Sequence, residues 1–95
     1  MPKLLLLNQS TAKEYHLKPG MNTIGRSEQY DFPIHDNGIS RLHARIQVDI
    51  SESIFIFEDM GSLNGSYVNQ IKTRKKILSK NDKITLGSRE LLFVD

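Results

Sequence analysis

His43-Ala44-Arg45-Ile46-Gln47-Val48 alternates polar and apolar residues one by one. Successive side chains of a strand point to opposite faces, so this period of two puts Ala44, Ile46 and Val48 on one face of a β-strand, with His43 on the other. The same reading extends outward in both directions. Upstream, Leu4 to Leu7 reads as a strand buried on both faces or packed at a sandwich edge, and Glu14-Tyr15-His16-Leu17 as a second short strand. After the turn signal Lys18-Pro19-Gly20, Met21-Asn22-Thr23-Ile24 is a third. Downstream, Ile54-Phe55-Ile56-Phe57 is β-branched and aromatic. Ser66-Tyr67-Val68 and Ile71-Lys72 are shorter pieces, and Lys83–Leu86 and Leu91–Val94 form a hairpin around Gly87-Ser88-Arg89-Glu90.

Turn residues punctuate the chain about every 8–12 residues, the spacing of an all-β sandwich or barrel. The best helix candidate, Gln70 to Lys80, is short and polar on too many faces. Two stretches, Ser27 to Arg41 and Asp59 to Gly65, are rich in Gly, Asn, Asp and Ser and read as loops without strands. Such loops gather at one end of a sandwich, and that end usually carries function.

The chain has 95 residues, which bounds it to one domain over 1–95. At this length about 60–65% of the extended-chain surface is buried on folding, so the architecture must be economical. With no cysteine there are no disulfides or thiolate metal sites. The longest apolar run, Leu4 to Leu7, is far short of a membrane span, and Met1-Pro2-Lys3 opens no signal peptide. An intracellular, cytoplasmic protein is therefore expected. Met1 reads as a native start, and Asp95 falls just after the last strand, which fits a module of a longer chain. The net charge of +2 says little about partners. His16, His35 and His43 have no metal-ligand spacing, and no Gly-rich phosphate loop leads into a helix, so no metal or cofactor is expected.

Four clusters carry chemistry. Gly25-Arg26-Ser27 ends a strand with a residue that allows close backbone approach, followed by a guanidinium suited to phosphate or carboxylate. Taken alone, Arg26 reads as a solvated rim arginine. Ser40-Arg41-Leu42-His43 offers a hydroxyl, a cation and an imidazole; His43 reads as a scaffold residue tying neighbouring loops together. Gly61-Ser62-Leu63-Asn64-Gly65-Ser66 contains Asn64-Gly65, which reads either as a tight hairpin turn or as an amide placed to pair with peptide backbone. Lys72, Arg74, Lys75 and Lys76 form a basic run, either a solvated loop or a phosphate-backbone contact that lacks a recognition helix. Ser40, His43 and Asp59 supply the residue types of a triad without a nucleophile elbow, and Ser40 and His43 would face opposite ways if extended, so no enzyme is expected.

Taken together, Gly25-Arg26, Ser40-Arg41-x-His43, Asp59-x-Gly61-Ser62-x-Asn64-Gly65-Ser66-Tyr67-Val68-Asn69 and Leu86-Gly87 resemble the forkhead-associated (FHA) domain over essentially the whole chain. The resemblance implies an eleven-stranded β-sandwich of two antiparallel or mixed sheets that binds phosphothreonine peptides through loops at one end. It further implies that Arg26, Ser40 and Arg41 contact phosphate and that Asn64, with Gly65, meets peptide backbone. Asn69 is similar to a second family asparagine that steadies the loop or touches peptide. Gly25, His43, Gly61 and Ser62 would support the loops. The chain departs from the family pattern at Gln70, where glycine is common, and at Leu63, where a small or polar residue is common. Leu63 removes a polar contact and offers an apolar one to the peptide.

The expected partner is a phosphothreonine-containing protein or peptide in a Ser/Thr kinase pathway. Its phosphate carries about −1.5 to −2 charges at pH 7 and three acceptor oxygens, which Arg26, Ser40 and Arg41 can saturate. Threonine differs from serine by one methyl, worth roughly 0.8 kcal/mol. Two alternatives stand beside this reading: a small basic β-domain binding nucleic acid through Lys72–Lys76, and a sandwich that binds proteins without phosphate.

Overall fold

The computed structural model describes residues 1–10 and 13–95. Among them are eleven strands in two packed sheets. The first sheet holds β1 (Lys3–Leu6), β2 (Lys13–His16), β7 (Ser66–Val68), β8 (Ile71–Lys72), β10 (Lys83–Leu86) and β11 (Arg89–Val94), ordered β2-β1-β11-β10-β7-β8. The second holds β3 (Gly20–Gly25), β4 (Phe32–Pro33), β5 (Ala44–Asp49), β6 (Ile54–Asp59) and β9 (Lys75–Ile77), ordered β4-β3-β5-β6-β9. All pairings are antiparallel except β3 with β4, so the second sheet is mixed. No helix among the described residues is long and apolar enough to cross a membrane.

The decisive alternation sits in β5: Ala44, Ile46 and Val48 are buried while Gln47 and Asp49 are exposed. In register, Ile46 lies between Asn22 and Phe57, and Val48 opposite Phe55. Leu4, Leu91, Phe93, Ile84 and Leu86 meet them from the other sheet in one core, closed by the Phe55–Phe93 ring contact at 5.0 Å. The buried Asn22 is saturated: its Oδ1 accepts from Lys18 N, and its Nδ2 donates to the carbonyls of Lys18, Gly20 and Ile46. A side-chain amide thus replaces the backbone pairing that the Pro19 turn interrupts.

Four expectations need correction. Leu4–Leu7 is not buried on both faces: Leu4 and Leu6 point inward and Leu5 is half-buried, because β1 sits between β2 and β11 with one face toward solvent. The stretch from Ser27 to Arg41 contains β4, a two-residue strand whose parallel pairing with Ile24 and Gly25 leaves no hydrophobic period to read. The last hairpin turns on Gly87-Ser88 alone, with Arg89 already in β11. Asn64-Gly65 is no hairpin: β6 and β7 belong to different sheets, so Met60–Gly65 crosses between layers, and only Gly65 of the pair has positive φ (81°). The tight hairpin lies at Asn69-Gln70, where φ is 53° and 70° between the paired Val68 and Ile71.

Candidate functional site

The site starts from the glycine that ends β3. A Cβ on Gly25 would lie 1.9 Å from the Arg41 carbonyl oxygen, so only glycine lets β3 approach the segment before β5. That contact is stitched by backbone: Arg26 N donates to Ser40 O (3.0 Å), Ser27 N to Arg41 O (3.3 Å) and His43 N to Ile24 O (2.9 Å). Arg26 and Ser40, distant in sequence, become neighbours. The Arg26 Nε donates to Ile39 O at 3.0 Å, which fixes the plane of the guanidinium and leaves its terminal nitrogens unspent among the described residues.

His43 is fully buried and bridges two loops. Its Nδ1 accepts from Ser40 N (3.1 Å) and its Nε2 faces Gly65 O at 2.9 Å. An N–H donor on one side and a carbonyl on the other select the Nε2–H neutral tautomer. The turn that brings Ser40 N onto the ring also corrects the extended picture in which Ser40 and His43 face apart. The Ser40 hydroxyl meets no base: its oxygen accepts from Leu63 N at 3.0 Å, leaving the O–H free to donate.

The crossing loop is organised by Asp59. Its Oδ1 accepts from Gly61 N and Ser62 N, and its Oδ2 from the hydroxyls of Ser62 and Ser66 (both 2.6 Å). Burial pushes this carboxyl up, but those hydroxyls and N–H groups outweigh it and hold it below the ordinary carboxylate value. The Ser62 hydroxyl oxygen accepts from Gly65 N in turn. Asn64 Nδ2 donates to Gly38 O (3.0 Å), joining this loop to the one before β5 and leaving its carbonyl oxygen available. Leu63, between them, is 89% exposed.

Asp36, given no role by the sequence, latches a third loop onto the cluster. Its carboxylate accepts from Gly38 N (2.9 Å), Ser88 N (3.3 Å) and the Ser88 hydroxyl (2.5 Å). Its carboxyl is held low chiefly by that hydroxyl. A Cβ on Gly87 would fall 2.5 Å from Asp36 Oδ2, so glycine is required where this hairpin meets the loop. The readable signal was Asp36-Asn37-Gly38, an Asx-turn pattern, but its partner Ser88 is fifty-two residues away.

These contacts enclose a recess of about 380 Å³ lined by Arg26, Gly38, Ser40, Arg41, Leu63 and Asn64, among others. Of the expected contact residues, Arg26, Ser40, Arg41, Leu63 and Asn64 converge there, while Gly65 lines the neighbouring recess on the other side of Leu63 and Asn69 lies elsewhere. Asn69 stands at the far end of β7, its Nδ2 donating to Asp82 Oδ1 and its Oδ1 accepting from Lys83 N (both 2.9 Å). Its amide therefore steadies the β7–β8 turn. A larger, open recess of about 690 Å³ between β8 and β9 is lined by the basic run. It lacks converging donors of fixed geometry, and Lys76 there is already paired with Asp82 at 2.8 Å.

A two-sheet sandwich that gathers a fixed guanidinium, a hydroxyl, a second cation and an amide around one loop-built recess is a β-sandwich binding module. The FHA domain family matches residues 22–87, and the chain belongs to that family. It is 33% identical over 88 residues to the FHA domain-containing protein FhaA of Mycobacterium tuberculosis, covering 93% of this chain and 16% of FhaA. It is 38% identical over 72 residues to an oxoglutarate dehydrogenase inhibitor of Corynebacterium efficiens, covering 76% of this chain and 49% of that protein. The chain thus spans half or less of each. A solved structure from a study of phosphothreonine-dependent FHA domain interactions superposes with a TM-score of 0.93 at 32% identity, covering 99% of this chain and 95% of the other.

Proposed function

We propose that this chain, as one module over residues 1–95, is a phosphothreonine-dependent interaction domain that binds phosphorylated proteins in intracellular Ser/Thr kinase signalling. The observation that carries this reading is the convergence of Arg26, Ser40 and Arg41 on one recess with donors unspent. Arg26 keeps its terminal nitrogens, Ser40 its O–H, and Arg41 an exposed guanidinium; the Arg41 N–H also makes no hydrogen bond within the described residues. Three acceptor oxygens and up to two negative charges match that set; a carboxylate, planar and singly charged, fills less of it. The family's named use of phospho-motif recognition supports the same reading.

Binding rather than catalysis fits the hydrogen-bond arrangement, since both His43 nitrogens face backbone groups and Ser40 Oγ holds Leu63 N. The test is titration of a phosphothreonine peptide library against wild type and Arg26→Ala. The variant is expected to stay folded and to lose affinity by about 10–100-fold or more, from charge-assisted bonds worth about 1.5–3 kcal/mol each. Undiminished affinity in folded Arg26→Ala, or equal binding of the dephosphorylated peptides, would overturn the assignment.

A further inference from the structure

Leu63 divides two recesses. On one side lies the recess of Arg26 and Ser40. On the other lies a second, of about 360 Å³, whose cations are Lys72 and Arg74. The segment bearing them is pinned to both ends of the crossing loop, because Thr73 N donates to Ser66 O and Asp59 N donates to Arg74 O (both 2.8 Å). Lys72 lies across the loop itself: a Cβ on Gly65 would come 3.0 Å from Lys72 Cε and 3.8 Å from its Nζ. Gly65 is favoured by its φ of 81°, and the Lys72 stem packs directly over it.

Charge separates these two cations from Lys76, and position separates them from Lys75, which lines the open recess between β8 and β9 but not this one. Lys76 is neutralised by Asp82 at 2.8 Å, whereas neither Lys72 nor Arg74 has a carboxylate partner among the described residues. The one carboxylate lining their recess, Asp59, has its oxygens occupied by four donors from its own loop. Two unpaired cations thus stand one residue's width from the phosphate recess, across an exposed leucine.

We propose that Lys72 and Arg74 form a second anionic subsite, which takes an acidic side chain of the same peptide while Leu63 packs against the residues between it and the phosphothreonine. This rests on the proposed function. Surface ion pairs are individually weak, but here the second contact is made by a chain already tethered at its phosphate, so it adds to affinity. The shared chemistry is an anionic side chain, a carboxylate or a second phosphate.

The experiment compares matched phosphothreonine peptides, flanked on either side by alanines, by Asp/Glu, or by phosphoserine, against wild type and the double variant Lys72→Ala/Arg74→Ala. The readout is the ratio of acidic-flanked to alanine-flanked affinity. In wild type it is expected at about 3- to 10-fold, shrinking as salt is raised. In the double variant it should fall to about one. A larger ratio for phosphoserine than for Asp/Glu in wild type alone identifies phosphate as the occupant. A ratio near one in wild type, an undiminished ratio in the double variant, or oligonucleotide binding that depends on these two residues overturns the subsite. Failure of the alanine-flanked phosphopeptide to bind wild type overturns the underlying reading, which keeps the two failures distinct.

Discussion

Ser40 takes part in three contacts at once. Its carbonyl holds Arg26 N, its N–H holds the His43 ring, and its hydroxyl oxygen holds Leu63 N, leaving one proton for the ligand. Ser40→Ala is expected to weaken phosphopeptide binding by about 1.5–3 kcal/mol, read by calorimetry, with little change in melting temperature because water replaces an exposed acceptor. His43→Ala should do the reverse first. It empties a fully buried site and orphans Ser40 N and Gly65 O, for an expected cost of about 2–4 kcal/mol in denaturant titrations. Unchanged stability in His43→Ala would show that the ring does not hold the loops. The types of these residues were legible in the sequence; their contacts were not, because Ser40 and His43 turn back on each other and a local strand pattern cannot describe that.

At the scale of elements, the alternation in β5 was legible because one face is core and the other solvent. The crossing loop was not, because Asn64-Gly65 has the composition of a hairpin while its flanking strands pair in different sheets. The actual hairpin uses Asn69-Gln70, which leaves a glutamine at φ 70° where glycine would be unstrained. Left-handed backbone costs a non-glycine residue about 1–2 kcal/mol, partly offset by glycine's greater unfolded-state freedom. Gln70→Gly is therefore expected to raise stability by about 0.5–1 kcal/mol and the melting temperature by about 3–6 °C. A lowered melting temperature would show that Gln70 makes compensating contacts.

For the whole molecule, the loops are fastened by carboxylates. Asp59 and Asp82 are held below the ordinary value of 3.8 against burial, and Asp31 and Asp36 by hydrogen bonds from Thr23 and Ser88. A folded-state pKa below the unfolded one means that the stability it contributes is present above about pH 4–5 and lost as pH falls through the folded value. Melts from pH 7 to 3 should show stability declining below about pH 5, with a shallower decline in Asp59→Asn. An equally steep decline in that variant would remove Asp59 from the account. Sequence alone determined most of the strands, the sandwich class and the residue types of the site, because side-chain period and turn chemistry act between near neighbours; the short β4 and β9 escaped it. Tertiary structure decided which of those residues meet. The Arg26–Ser40 contact, the Asp36–Ser88 latch, the Asn69–Asp82 contact and the Lys72 stem over Gly65 all depend on how two sheets stack, and stacking joins positions that no local pattern relates.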